Sequence, residues 1–306
     1  MKKALEILTP YCYSETDVLE QVIIGYPDNL YQNREFDPKI DGNNQKTIKN
    51  RAIGNIAKRE ESMKEFAEFR KVMEAHGVTV LDPDPCPPET LNINQMFVRD
   101  IGFVVGEKFF ISNMARLTRR REWESIGKFI NKMPEGRVVY VPEGVVLEGG
   151  DIVVDKENVY VGLSQRTTKK GLDFLSKQLE NTTFNIVPVE LLSVSDGEDV
   201  LHLDCAFVPV GKNNALIYSK GMVSIPKEIS DDYDLIDTTC EEQNELLVNV
   251  FSLSPEKVVT RDIATRINDE IKNRGIYVCA IPFNEAPKSG GSLRCCTLPL
   301  KRKNKD

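Results

Sequence analysis

The sequence is poor in the residues that build metal sites and disulfide frameworks. It has two histidines in 306 residues and no cysteines in C-x-x-C spacing, which removes the common zinc arrangements. Its seven cysteines are an odd number, two of them adjacent. That suits unpaired thiols in a reducing compartment, so a cytoplasmic location is expected. No apolar run approaches the roughly 18 residues of a membrane span, and the start MKKALEILTPYCYSE, interrupted by Glu6, makes a poor signal peptide. Positive charge is also in deficit: a net charge of −7 argues against nucleic acid or an anionic membrane as the partner. The basic end KRKNKD is expected to be a frayed, solvated tail. What remains is an ordinary globular composition, 41% apolar and 28% charged, long enough for a substantial core. Cysteine chemistry in such a chain is expected to be nucleophilic.

Three segments share one pattern. Asp100 opens DIGFVVGEKFFIS, Asp151 opens DIVVDKENVYVGLS and Asp204 opens DCAFVPVGKNNALIYS. Each has a short apolar run, a polar turn and a second apolar run, which is the signature of a β-hairpin. The aspartates lie 51 and 53 residues apart, a period that suits one supersecondary unit. Helical periodicity falls between the hairpins, over Arg120–Asn131, Lys169–Leu179 and Glu241–Leu253. VIIGYP, the helical stretch Glu60–Ala75 and VTVLDPD read as a further copy, and IYVCAIPF with RCCTLPL as the last. Five such units predict a radial, propeller-like α/β assembly over residues 1–306, a single catalytic domain with the repeated aspartates converging on its axis.

Several polar residues interrupt apolar runs. In LHLDCAF, strand alternation would put His202 and Asp204 on one face. In VVLEGGDIVV, Glu148 and Asp151 flank two glycines within an apolar run, and in QMFVRDIGFVV the pair Arg99–Asp100 interrupts an apolar stretch in the same way; burying such carboxylates is costly unless a cation or donor meets them. His76, at a helix end before a glycine, reads as structural. In GGSLRCCTLPL, an extended chain would place Cys296 with Leu298 and Leu300 and leave Cys295 on the polar side with Thr297. Cys295 is therefore the better candidate nucleophile.

Together, FVRD, LEGGD, HLD and GGSLRCCT, in this order over Asp100–Leu300, resemble the guanidino-group modifying enzymes: arginine deiminases, dimethylarginine dimethylaminohydrolases, agmatine deiminases and amidinotransferases. The resemblance implies a five-bladed pseudo-symmetric α/β-propeller (pentein fold) with a central active site. TRRRE and SQRTT are similar to elements of the arginine deiminase branch, which implies Arg119 and Arg166 as holders of the substrate carboxylate. The chain departs from that branch in length, lacking room for its helical insertion, and in Arg294, where those enzymes commonly have His. The arginine of the loop before the nucleophile has no evident counterpart, and Lys288 is open as its replacement.

On this resemblance Cys295 would attack the guanidinium carbon, His202 would serve as acid and base, and Glu148 would orient it. Asp100 and Asp204 would grip the guanidinium N–H groups, with Asp151 as a further substrate carboxylate. Neither metal nor organic cofactor is required, and the partner is a small guanidino molecule, with homo-oligomerisation open. The reaction implied is hydrolysis of arginine to citrulline and ammonia. Amidinotransfer, dimethylarginine hydrolysis and ornithine-forming dihydrolysis are alternatives on the same scaffold. A non-catalytic propeller that binds a macromolecule is the alternative of another class.

Overall fold

The structure, a computed structural model, describes residues 7–28, 45–86, 95–198 and 200–303. Its strands form five three-stranded sheets on one plan: an antiparallel pair, then a third strand parallel to the second. A parallel neighbour cannot be reached by a tight turn, so each unit crosses back over its own sheet through a helical segment.

Strands β1 (Val18–Ile24) and β2 (Thr79–Leu81) are parallel, with the helix Arg59–Ala75 between them. The next sheet contains β3 (Gly102–Val105), β4 (Lys108–Ile111) and β5 (Val138–Tyr140). It is followed by β6 (Ile152–Asp155), β7 (Asn158–Leu163) and β8 (Asn185–Glu190). The fourth holds β9 (Phe207–Val210), β10 (Asn214–Ile217) and β11 (Asp234–Asp237). The fifth holds β12 (Phe251–Ser254), β13 (Lys257–Arg261) and β14 (Tyr277–Ile281). Finally β15 (Thr297–Lys303) pairs antiparallel with β1, from Val18 opposite Lys303 to Ile24 opposite Thr297, and completes the first sheet. The fold is the five-bladed α/β-propeller.

Burial orients the blades. β3, β6, β9 and β12 are buried at every position, whereas β8, β11 and β14 alternate with exposed residues. The first strand of each unit therefore faces the centre and the third the rim. The helix Lys169–Leu179 shows how the rim is attached. Thr168 caps it by accepting the Gly171 N–H at 3.4 Å, and Leu172, Leu175 and Leu179 bury one face, each contributing roughly 1.5–3 kcal/mol. Between the third and fourth blades, Phe207 meets the Tyr160 and Tyr233 rings edge-on at 5.1 and 5.5 Å.

Four expectations are corrected. RCCTLPL does not share a blade with IYVCAIPF: the latter contains β14, while β15 belongs with β1 and β2. The helix expected over Glu241–Leu253 stops at Asn244; Leu246 takes a positive φ of 56° and the apolar residues after it pack as a turn leading into β12. The helix expected over Arg120–Asn131 is split into a 3-10 turn, Glu122–Ile126, and the short helix Gly127–Ile130. The basic end is no frayed tail through Lys303: Arg302 is fully buried and donates to the carbonyls of Asp17 and Ser252. Asn304–Asp306 and Met1–Glu6 lie outside the described residues.

Candidate active site

One polar residue stands within three positions of the start of each central strand: Asp100 before β3, Asp151 before β6, Asp204 before β9, Asn249 before β12 and Cys295 before β15. The cysteine occupies in the last repeat the place that aspartate holds in three others. These residues sit in turns, which corrects the strand-face reading. Gly149–Asp151 and Leu203–Cys205 are 3-10 turns. Before β15, Cys296 N–H donates to the Ser292 carbonyl and Thr297 N–H to the Arg294 carbonyl. Tight turns aim consecutive side chains in different directions, so the two cysteines still diverge. Both border one apolar cluster with Leu293 and Phe97, Cys296 fully buried in it, while Cys295 Sγ reaches out of it to lie 3.5 Å from Asp204 Oδ2.

His202 and Glu148 form a buried ion pair, Nε2 to Oε2 at 2.8 Å. Glu148 Oε1 accepts the Ala115 N–H at 2.9 Å, and Arg166 Nη1 lies 3.6 Å from Oε2. Burial alone would lower the imidazole pKa, but Asp100, Asp151 and Glu148 raise it to about 10. Burial raises the Glu148 carboxyl, and Arg166 and His202 outweigh it to leave it at about 2. The pair is an imidazolium and a carboxylate. The other ring nitrogen lies 3.7 Å from Asp100 Oδ1, a buried oxygen with no hydrogen-bond partner among the described residues. Gly150 makes this approach possible: a Cβ there would stand 2.7 Å from the imidazole and 2.8 Å from Asp100 Oδ1.

Around Cys295, Asp204 is shared. Its Oδ2 accepts from Arg294 Nη1 at 2.8 Å as well as from Cys295, and its Oδ1 accepts from Cys205 Sγ at 3.6 Å. The contact with Cys205, then burial and Asp204, push the Cys295 thiol well above its ordinary value. Asn249 joins the two segments, its Oδ1 accepting the Cys295 N–H at 3.1 Å and its Nδ2 donating to the Asp204 carbonyl at 2.9 Å. Arg294 meets the thiol only through that shared Asp204 oxygen, and on its other side Glu15 receives its Nε at 2.9 Å and its Nη2 as well.

Two residues expected to hold substrate are engaged elsewhere. Arg119 donates from Nε and Nη2 to Glu122, from Nη1 to Asp100 Oδ2 at 2.6 Å and from Nη2 to the Phe97 carbonyl; it orients Asp100. Asp151 accepts from Ser164 Oγ at 2.7 Å and from the Leu203 N–H at 2.9 Å, so it holds the turn that carries Asp204. Arg166 is buried beside Glu148 as expected for an inward cation, but its neighbour is Arg116, whose guanidinium pKa is lowered by burial and then by Arg166. Lys288 is tied to Glu285 at 2.6 Å. Sequence reasoning missed Glu15, Arg116 and Asn249. Asn249 alone left a signal, as a polar residue before the hairpin FSLSPEKVVT where other repeats have aspartate. Two donor sets, Asp100–Glu148–His202 and Asp204–Cys205–Cys295, are each tight enough to bracket one cation.

The family model of N,N dimethylarginine dimethylhydrolase, eukaryotic, matches residues 27–302. Among curated proteins, the uncharacterized protein YkgA of Bacillus subtilis is 37% identical over 209 residues, 68% of this chain and 70% of its own length. An arginine deiminase of Listeria monocytogenes is 25% identical over 294 residues, covering 82% of this chain and 70% of that protein. Among solved structures, an amidinotransferase of the saxitoxin pathway from Microseira wollei superposes with a TM-score of 0.75 at 17% identity, over 97% of this chain and 98% of that one. DDAH from Pseudomonas aeruginosa, complexed with citrulline, gives 0.71 at 21%, over 92% and 99%.

Proposed function

The chain belongs to the N,N-dimethylarginine dimethylhydrolase family of the guanidino-group modifying enzymes, and from that premise we propose that it is a single-domain cysteine hydrolase converting L-arginine to citrulline and ammonia. The observation that supports this reading is a buried thiol against the Asp204 carboxylate, with a buried imidazolium–carboxylate pair beside Asp100, whose charge also acts on that thiol.

The free enzyme holds Cys295 as a neutral thiol against Asp204. A bound guanidinium brings a positive charge beside it and favours thiolate, the thiol proton passing to water. The unpartnered Asp100 Oδ1 is an acceptor for one substrate N–H, and Asp204 for another. Cys295 Sγ then bonds to the guanidinium carbon. The C–N bond breaks as His202 delivers its proton to the departing amine, leaving a thiouronium on the enzyme. Neutral His202 next takes a proton from water, hydroxide adds to the same carbon, and the C–S bond breaks as the hydroxyl proton of the adduct passes to the departing sulfur, which releases citrulline and the thiol. Glu148 stabilises the imidazolium throughout.

Arginine is favoured over agmatine by Arg116 and Arg166, two cations beside Glu148 with one carboxylate between them. A substrate carboxylate would complete their charge balance. The family assignment supports methylated arginines as a second substrate class. A purely binding propeller has no use for a buried imidazolium–carboxylate pair, which is expensive to assemble. Incubation with arginine, methylated arginines, agmatine, and arginine plus glycine or ornithine, followed by mass spectrometry, tests the proposal. The expected products are citrulline and one ammonia per arginine. Ornithine with two ammonia, or a transferred amidino group, would replace the reaction, and failure of every guanidino compound to react would end it.

A further inference from the structure

We infer that Glu15 and Arg294 are positioning residues, a buried charged link from the N-terminal segment that holds Asp204, and through it Cys295, in its working geometry. The inference rests on the reading of Cys295 as the nucleophile and goes beyond it in assigning Arg294, which neighbours that cysteine in sequence and reaches it through a shared oxygen of Asp204.

Arg294 is 1% exposed, and all three of its guanidinium nitrogens donate to protein groups. Nη1 reaches Asp204 Oδ2 at 2.8 Å, Nε reaches Glu15 Oε2 at 2.9 Å, and Nη2 donates to Glu15 Oε1 and, at 2.7 Å, to the Ile152 carbonyl. A guanidinium so engaged has no planar face left for a substrate carboxylate. Its bidentate grip on Glu15 fixes the plane, and the remaining nitrogen then sets the position of Asp204 Oδ2, the oxygen that Cys295 Sγ contacts at 3.5 Å. Arg99 stands behind the link, with Nη1 3.6 Å from Glu15 and Nε 3.4 Å from the Arg294 carbonyl.

The charges explain why an arginine is needed. Asp204 is fully buried, and a carboxylate there without a cation is strongly unfavourable. Around the thiol, Asp204, Cys205 and Asp100 all resist its ionisation, while Arg294 and Arg99 offset Asp204 from behind. Without Arg294, Arg99 alone would offset the anion of Asp204, and its effect on Cys295 would grow.

The test uses Arg294→Gln, Arg294→Lys and Glu15→Gln, each checked for folding by thermal unfolding. The rate of Cys295 alkylation by iodoacetamide is measured against pH without substrate, with the site located by peptide mass spectrometry, beside kcat and KM for arginine. In Arg294→Gln the alkylation midpoint should rise by about one pH unit, and kcat/KM should fall roughly 100-fold. Arg294→Lys should restore the midpoint but not the full kcat, because an ammonium keeps the charge and loses the fork. Glu15→Gln should move both readouts in the same direction by less. A folded Arg294→Gln with the wild-type alkylation profile, whatever its thermal stability, overturns the inference and leaves Arg294 merely structural. If Arg294→Gln does not fold, the double variant Glu15→Leu/Arg294→Met removes both charges and is held to the same profile. Because alkylation needs no substrate, absence of turnover in the wild type would defeat the proposed reaction without deciding this question.

Discussion

Asn249 ties the segment that carries the candidate nucleophile to the segment that carries its carboxylate: its Oδ1 accepts the Cys295 N–H at 3.1 Å and its Nδ2 donates to the Asp204 carbonyl at 2.9 Å. It holds the position before β12 that aspartate holds before β3, β6 and β9. An aspartate here could accept from Cys295 but could not donate to Asp204, and it would add a third anion beside the thiol. Asn249→Asp should therefore lower kcat for arginine by roughly 10- to 100-fold and raise the pH at which Cys295 is alkylated. A variant with wild-type kcat and alkylation profile would show that the amide is interchangeable with a carboxylate.

The two adjacent cysteines should separate cleanly by mutation. Cys295→Ser should abolish turnover, since a serine hydroxyl at this site has no base poised to ionise it. Cys296 contributes only apolar packing with Leu293 and Phe97, so Cys296→Ser should keep most of the activity and lose about 1–3 kcal/mol of stability from burying a hydroxyl. Activity assays and denaturant unfolding on both variants check this. Full activity in Cys295→Ser would rule out the covalent step.

Much of this arrangement was legible in the sequence, because a central strand must be a short apolar run and anything polar at its mouth stands out. Asp100, Glu148, His202, Asp204 and Cys295 all announce themselves in that way. Direction within a turn was not legible. His-Leu-Asp spacing looks like strand alternation, yet Leu203–Cys205 is a 3-10 turn. Nor does adjacency say which arginine of ARLTRRRE turns inward and with what partner: Arg119 serves Asp100 and Glu122, leaving Arg116 beside Arg166. Glu15 gave no signal, since its partner Arg294 is 279 positions away. The pairing of β15 with β1 likewise depends on ring closure, which no local pattern encodes.

The pair Arg116–Arg166 makes a prediction about substrate choice. If both cations meet a carboxylate, Arg166→Ala should raise KM for arginine by roughly 10- to 100-fold, the loss of one charged hydrogen bond. The KM for agmatine, which has no carboxylate, should change far less. Arg116→Ala should do the same more weakly, because Arg116 is only partly buried. Arg119→Ala should instead impair both substrates alike, through Asp100. Steady-state kinetics on the two substrates decide the matter, and equal effects of Arg166→Ala on both would remove the carboxylate role.

The imidazolium–carboxylate pair should be visible in the pH dependence of stability. The His202 pKa is raised to about 10 in the folded protein, so the native state holds its proton more tightly than the unfolded chain does. That contribution is complete below the unfolded value near 6.5 and is lost as pH rises through about 10. Glu148, lowered to about 2, contributes above the ordinary carboxylate range and loses its share as pH falls through about 2. Both contributions are present together near pH 5 to 6. Replacing His202 with Gln takes away the cation hydrogen-bonded to Glu148 and leaves the more distant arginines, and the variant should be less stable by about 3–5 kcal/mol at that pH. The deficit should shrink steadily between about pH 7 and 10, because there unfolding of the wild type releases a proton that the variant never held. Urea unfolding of both proteins across this range measures it. A deficit that stays constant from pH 6 to 10 would mean that the wild-type imidazole is neutral, and the protonated general acid would have to be sought elsewhere.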